Sequence, residues 1–296
     1  MGITRDRLHT LYPFVSRYLD LDGLRYHYLD EGQGEPIVML HGNPTWSFYY
    51  RHLIAALRTR YRVIAPDHIG MGLSDKPQHY PYRLAQHIAN FQRLMEHLEL
   101  RRMTLMMHDW GGYIGMGYAT THPNHVSRFV VFNTGAFWLP DLLPFRLRIC
   151  RIPLLSEVLI RRFNLFVRIA LRVAVAHPER VTPEVRAGYL APYDSYAHRI
   201  ATVRFVEDIP FSKRHPTYSV MQSIERALPQ LARHPLLIVW GRRDPIFTAR
   251  FLDAWKQHFP LAVVKEVDDG GHYVVEDAHE RIIPWVTEFL ESHPAG

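Results

Sequence analysis

The sequence predicts an α/β fold: a mostly parallel sheet with helices on both faces and a helical insertion over one edge. Three observations carry this. Short continuous apolar runs recur along the chain, PIVML at 36–40 and PLLIVW at 235–240 among them. Strands buried on both faces of a sheet read this way. Segments of helical period separate the runs, as parallel crossovers require. The alternation then stops after Thr134, and 136–228 shows helices and prolines but no convincing buried strand. The expected division is a core of 1–135 and 229–296 with a helical cap of 136–228.

Composition narrows the class. At 296 residues and 47% hydrophobic content the chain can bury a sizeable core. One cysteine, Cys150, rules out an internal disulfide and fits a reducing compartment. The stretch MGITRDRLHTLYPF has no apolar run of signal-peptide length, and no stretch reaches a membrane span. A soluble cytoplasmic protein is expected. Residues 146–215 carry 13 Arg and Lys against 6 Asp and Glu, so the net charge of +6 sits in the insertion. No zinc spacing, P-loop or basic-aromatic motif accompanies it, which argues against nucleic acid.

In order, 17–21 and 24–30 read as a hairpin around Asp22 and Gly23. The buried run 36–40 follows, then the loop His41-Gly42-Asn43-Pro44-Thr45 and a helix over 46–58. The run 62–65 is the next strand, and a glycine-rich loop leads to a helix over 82–98. There Leu84, Ile88, Phe91, Leu94 and Leu98 form one stripe. Strands at 103–107 and 126–132 flank another helix. After the insertion come the run 235–240, a helix over 249–259, a strand at 263–267 and a closing helix that includes 284–290.

The chemistry gathers where strands end. MTLMMHDWGG at 103–112 runs from a buried strand through Asp109 and Trp110 into a glycine turn and a helix. Strand, tight turn and helix form a nucleophile elbow, with Asp109 in the place of the usual serine. A carboxylate needs no base to activate it and forms an ester on attacking carbon. An Asp here can also simply cap the helix. Asn43, Asp244 in GRRDP and His272 in GGHYVVED likewise follow apolar runs, and ligands on parallel sheets bind at that edge. The order nucleophile, acid, histidine makes Asp244 the partner of His272. The alternatives are a turn-forming Asp before Pro, a packed aromatic at Trp110 and an Asn-Pro turn at Asn43. Asp268 and Asp269 read as turn residues, and His108 should face the opposite side of its strand. Backbone amides at Asn43 and Trp110 are expected to form an oxyanion hole, with the indole N–H and the Asn43 amide as further donors.

HGNPTWSFYYR, HDWGG, GRRDP and GGHYVVED resemble the α/β-hydrolase fold, in its haloalkane dehalogenase branch, over nearly the whole chain. The resemblance implies Asp109 as nucleophile, Asn43 and Trp110 as cradle for the leaving group, and no cofactor or metal. Asn133 follows the sixth strand and Asp244 the seventh. This late acid with an Asn-Trp pair is similar to the β-lactone decarboxylases of bacterial long-chain olefin biosynthesis. These convert a cis-3,4-dialkyl β-lactone, a small hydrophobic substrate, into a cis-alkene and CO2. Haloalkane dehalogenation is the alternative activity, and a silent ligand-binding module a further one. Epoxide hydrolases share the Asp nucleophile but use two cap tyrosines. Tyr189, Tyr193, Tyr196 and Tyr218 stand in the cap, whereas Asn43 is atypical of that group.

Within the insertion, 153–176 reads as one amphipathic helix. Its charged stripe is Glu157, Arg161, Asn164, Arg168 and Arg172. Its apolar side carries Leu155, Val158, Leu159, Phe166, Ile169, Ala170 and Val173. The expectation is an apolar side toward the site and a charged side toward water. Two partners follow for the basic stripe: a peripheral membrane contact and, from the resemblance, the β-lactone synthetase of the olefin pathway.

Overall fold

Apolar runs that are continuous rather than alternating become strands with both faces covered. The computed structural model describes residues 10–139 and 152–295. Cys150, the stretch 1–9 and the basic residues Arg146, Arg148 and Arg151 lie outside them. The strands are β1 (Ser16–Leu21), β2 (Leu24–Glu31), β3 (Pro36–Leu40), β4 (Arg62–Pro66), β5 (Met103–Asp109), β6 (Val126–Thr134), β7 (Leu236–Gly241) and β8 (Val263–Val267). They form one sheet in the order β1-β2-β4-β3-β5-β6-β7-β8. β2 runs antiparallel to both β1 and β4, and every pairing from β4 to β8 is parallel. β5 lies near the centre and is buried at every residue. Its side chains alternate between two cores: Met103, Leu105 and Met107 pack in one layer and Met106 in the other.

The helices of the core are α1 (Arg51–Leu57), α2 (Leu84–His97) and α3 (Trp110–Thr121). The expected helix over 46–58 is in fact two pieces, because a 3-10 turn at Ser47–Tyr50 precedes α1. Between β6 and β7 the described residues hold helices and turns without a strand. These include α4 (Leu165–Val173), α5 (Pro183–Leu190), α6 (Ile200–Glu207) and α7 (Pro216–Ala227). α8 (Ala249–His258) and α9 (Val274–Ser292) complete the core, α9 with non-helical backbone at Ala278.

The single helix expected over 153–176 is corrected. A short α-turn at Pro153–Ser156 passes into π-helix at Glu157–Arg162, and Asn164 then adopts φ +54° and ends the run. The expected sides hold only in part, since Arg168 and Arg172 face water as expected but other positions do not. The inward stripe is Ile160, Asn164, Val167, Leu171 and Ala174, and Arg161 is buried with it. Arg161 bonds to Glu157 and Gln78 instead of facing water. Val158, Ile169 and Val173, expected to turn inward, are exposed.

Two buried carboxylates at the start of α9 tie the insertion to the core. Glu276 takes both guanidinium nitrogens of Arg51 at 2.6 and 2.8 Å, and the Tyr189 hydroxyl of α5 at 2.7 Å. Asp277 accepts the backbone amides of Ala176, His177 and Gly271. Both satisfy the rule that buried charge must be paired and hydrogen-bonded.

Candidate active site

At the carboxyl end of β5 the chain turns sharply into α3, and Asp109 holds φ +51° and ψ −123° there. That ψ lies outside the left-handed helical well, so the residue is held in a sparsely populated conformation. Close packing fixes the turn. A Cβ at Gly111 would lie 2.1 Å from the Leu40 carbonyl oxygen, and one at Gly42 would lie 2.0 Å from Asp109 Oδ1. Glycine at both positions lets the β3 loop and the elbow touch.

The carboxylate is already divided between two partners. Its Oδ1 accepts the Asn43 backbone amide at 2.6 Å, and the Trp110 amide faces the same group. The amides expected to form an oxyanion hole thus engage the carboxylate of Asp109 itself. Oδ2 lies 3.6 Å from His272 Nε2, which is buried without a hydrogen-bond partner. His272 Nδ1 meets Asp244 Oδ2 at 2.8 Å. Asp109, His272 and Asp244 therefore form one line of contacts, brought together from the end of β5 and the loops after β8 and β7.

Burial pushes the Asp109 carboxyl up from its ordinary value, and His272 with the two amides pulls only part of the way back. His272 is raised too. Burial opposes its charge, but Asp244 and Asp109 outweigh burial. An imidazolium held between two carboxylates is the state this geometry favours.

Asn43 and Trp110 both border Asp109. Asn43 Nδ2 donates to the Thr202 carbonyl of α6 at 3.2 Å, so one amide hydrogen links core to insertion and the other stays available. The Trp110 ring meets Phe205 of α6 edge-on at 5.4 Å, and Phe247 stacks on the His272 ring at 5.6 Å. The surround of the carboxylate is thus apolar with few polar atoms, which suits a hydrophobic ligand.

Other residues fall as their positions suggested or surprise. His108 points to the far layer, where its Nε2 bonds the His272 carbonyl oxygen at 2.9 Å and its ring stacks on Tyr49. Asp269 pairs with His177 and Arg281. Asn133 marks only the absence of an acid after the sixth strand in the sequence, and its part in holding Asp244 is not legible there. Its Nδ2 donates to Asp244 Oδ2 at 2.8 Å and to the Gly241 carbonyl, and its Oδ1 accepts the Gly241 amide. The available signal was a lone amide in the otherwise apolar run VVFNT. The four cap tyrosines do not bond to Asp109 among the described residues. Tyr189 donates to Glu276, Tyr196 to Glu157, Tyr218 accepts from Gln222, and the Tyr193 hydroxyl is buried without a partner.

Fold and site together define an α/β hydrolase whose elbow presents a carboxylate in place of a hydroxyl. A sequence profile described as alpha/beta hydrolase fold matches residues 35–149. The chain is 46% identical to a cis-3-alkyl-4-alkyloxetan-2-one decarboxylase of Shewanella oneidensis, covering 96% of this chain and 90% of that protein. It is 35% identical to haloalkane dehalogenase 2 of Mycobacterium bovis, covering 94% and 96%. The crystal structure of the putative ancestral haloalkane dehalogenase AncHLD2 shares its fold, with TM-score 0.86 at 24% identity over 95% of this chain and 100% of that one. The protein belongs to the α/β-hydrolase family, in the branch that holds the oxetanone decarboxylases and the haloalkane dehalogenases.

Proposed function

We propose that the protein converts a cis-3-alkyl-4-alkyloxetan-2-one into a cis-alkene and CO2, with Asp109 as nucleophile. The observation that carries the mechanism is the occupied oxyanion hole. The Asn43 amide sits on Oδ1 and the Trp110 amide also meets the carboxylate, so both expected oxyanion-hole donors are engaged by Asp109 itself, and Oδ2, facing His272, is the nucleophilic atom. Attack is therefore on the saturated ring carbon C4. The Oδ2 lone pair forms the C4–O bond while the C4–O1 bond breaks, and its electrons pass to the substrate's new carboxylate. The Trp110 indole N–H and the free hydrogen of the Asn43 amide stabilise that carboxylate. In the second step the C2–C3 bonding pair becomes the C3=C4 double bond. CO2 departs, and the C4–Oδ2 electrons return to Asp109.

The stereochemistry closes. Attack inverts C4, anti elimination follows, and the two together leave the cis arrangement of the alkyl groups unchanged. No water and no net proton enter. His272 as an imidazolium stabilises the returning Asp109 carboxylate, and in that form it cannot activate water against the ester. The alternative reading is haloalkane dehalogenation, in which neutral His272 activates water to cleave the ester. The higher identity to the decarboxylase supports the first reading. In it the protein acts in the cytoplasm, in long-chain olefin biosynthesis, on lactone supplied by a β-lactone synthetase.

The test supplies a cis-dialkyl β-lactone and a haloalkane separately. Alkene from the lactone supports the proposal, and halide release without any alkene refutes it. Lactone labelled with heavy oxygen at O1 locates the attack. Both lactone oxygens should leave in CO2, and label retained in Asp109 would rule out attack at C4.

A further inference from the structure

Cap helix α4 and the end of the π-helical turn before it leave a mixed set of side chains exposed. Phe163, Ile169 and Val173 are 58%, 51% and 46% exposed, and Arg162, Arg168 and Arg172 are exposed among them. None of these arginines has a carboxylate partner among the described residues, and no Asp or Glu occurs from 158 to 177. The acids of adjoining segments are already engaged, Glu157 by Arg161 and Asp194 by His198. The other side of α4 is fixed in the core through Val167 and Leu171. Large apolar side chains in water are unfavourable, and arginines interleaved with them match one environment on both counts. That environment is an interface with acyl chains below and anionic headgroups above, where arginine stems lie along the apolar layer and the guanidinium groups reach outward.

We infer that this face docks the protein on an anionic lipid surface. The same helix couples to the site, because the Ala174 carbonyl just after it accepts the Tyr273 amide beside His272 at 2.8 Å. Docking brings the site close to the phase in which a dialkyl lactone partitions. That purpose rests on the decarboxylase reading, whereas the docking itself rests on the surface alone.

The experiment is co-sedimentation with vesicles of phosphatidylcholine alone or mixed with phosphatidylglycerol, at low and at physiological salt. The wild-type protein should bind the mixed vesicles and weaken with salt. R168Q/R172Q should lower the partition coefficient on the order of 30-fold, about five-fold for each arginine. F163S/I169N should lose binding at either salt. Both variants should turn over a short-chain, water-soluble β-lactone at the wild-type rate, which shows that they fold and reports on the decarboxylase reading separately. Three results overturn the inference: no wild-type binding at low salt, undiminished binding by both variants, or a wild-type oligomer that F163S/I169N dissolves while vesicles are ignored. The last would make a second copy of this chain the occupant.

Discussion

Asn133→Ala removes the amide that holds the acid of the site. Asn133 makes three buried hydrogen bonds: 2.8 Å to the charged Asp244, 3.0 Å to the Gly241 carbonyl and 2.7 Å from the Gly241 amide. A bond to a charged group contributes about 1.5–3 kcal/mol and a neutral one about 1 kcal/mol. The expected loss of unfolding free energy is therefore about 3.5–5 kcal/mol, read from urea denaturation followed by near-UV circular dichroism. Asp244 keeps the Ile246 and Phe247 amides on Oδ1, but Oδ2 is left to His272 alone. If the missing bond matters as much in the transition state, kcat falls about ten-fold or more, because about 1.4 kcal/mol is a factor of ten. Stopped assays well below the midpoint of unfolding separate this from simple loss of folded protein. Wild-type stability together with wild-type kcat would refute the claim that Asn133 anchors Asp244.

Three further outcomes are expected. Asp109→Asn should abolish alkene formation while keeping the fold. Since burial raises the folded-state value of Asp109, its ionised form burdens the fold, and the variant's thermal advantage should grow as pH rises through that value; an advantage that shrinks instead would reverse the sign. The raised value of His272 keeps it charged beyond the ordinary histidine range, so lactone turnover should fall as pH rises through it. Hydrolysis of an alkyl ester on Asp109 should rise over the same window, and identical profiles for the two would remove the charged imidazolium from the mechanism. Glu276→Ala leaves Arg51 buried without its carboxylate, and should cost about 3–5 kcal/mol of stability by denaturant titration; a loss below 1 kcal/mol, on that same scale, would mean that water reaches the pair.

The sequence by itself determined the sheet and the edge of it at which the candidate site residues gather. Continuous apolar runs such as PIVML and PLLIVW are legible because a strand covered on both faces has no polar side to confuse its pattern. Asp109, Asp244, His272 and Asn43 are legible because each follows such a run, and a parallel sheet brings all those ends to one edge. What each atom does was decided only in three dimensions. Asn43 and Asp109 are 66 positions apart, and the amide that claims Oδ1 depends on two loops pressed together at Gly42. Asn133 and Asp244 meet across 111 positions, and Arg51 and Glu276 across 225. Local periodicity carries no record of such distant pairs. The cap shows the same limit at short range. The spacing of three and four at Glu157, Arg161, Asn164 and Arg168 is real, but period alone does not say which stripe turns inward. Where an insertion packs on a core that also needs polar partners, Arg161 and Asn164 are taken inside and Ile169 is left outside. Tertiary contacts chose the stripe, because the energy of burying one face depends on what lies opposite it.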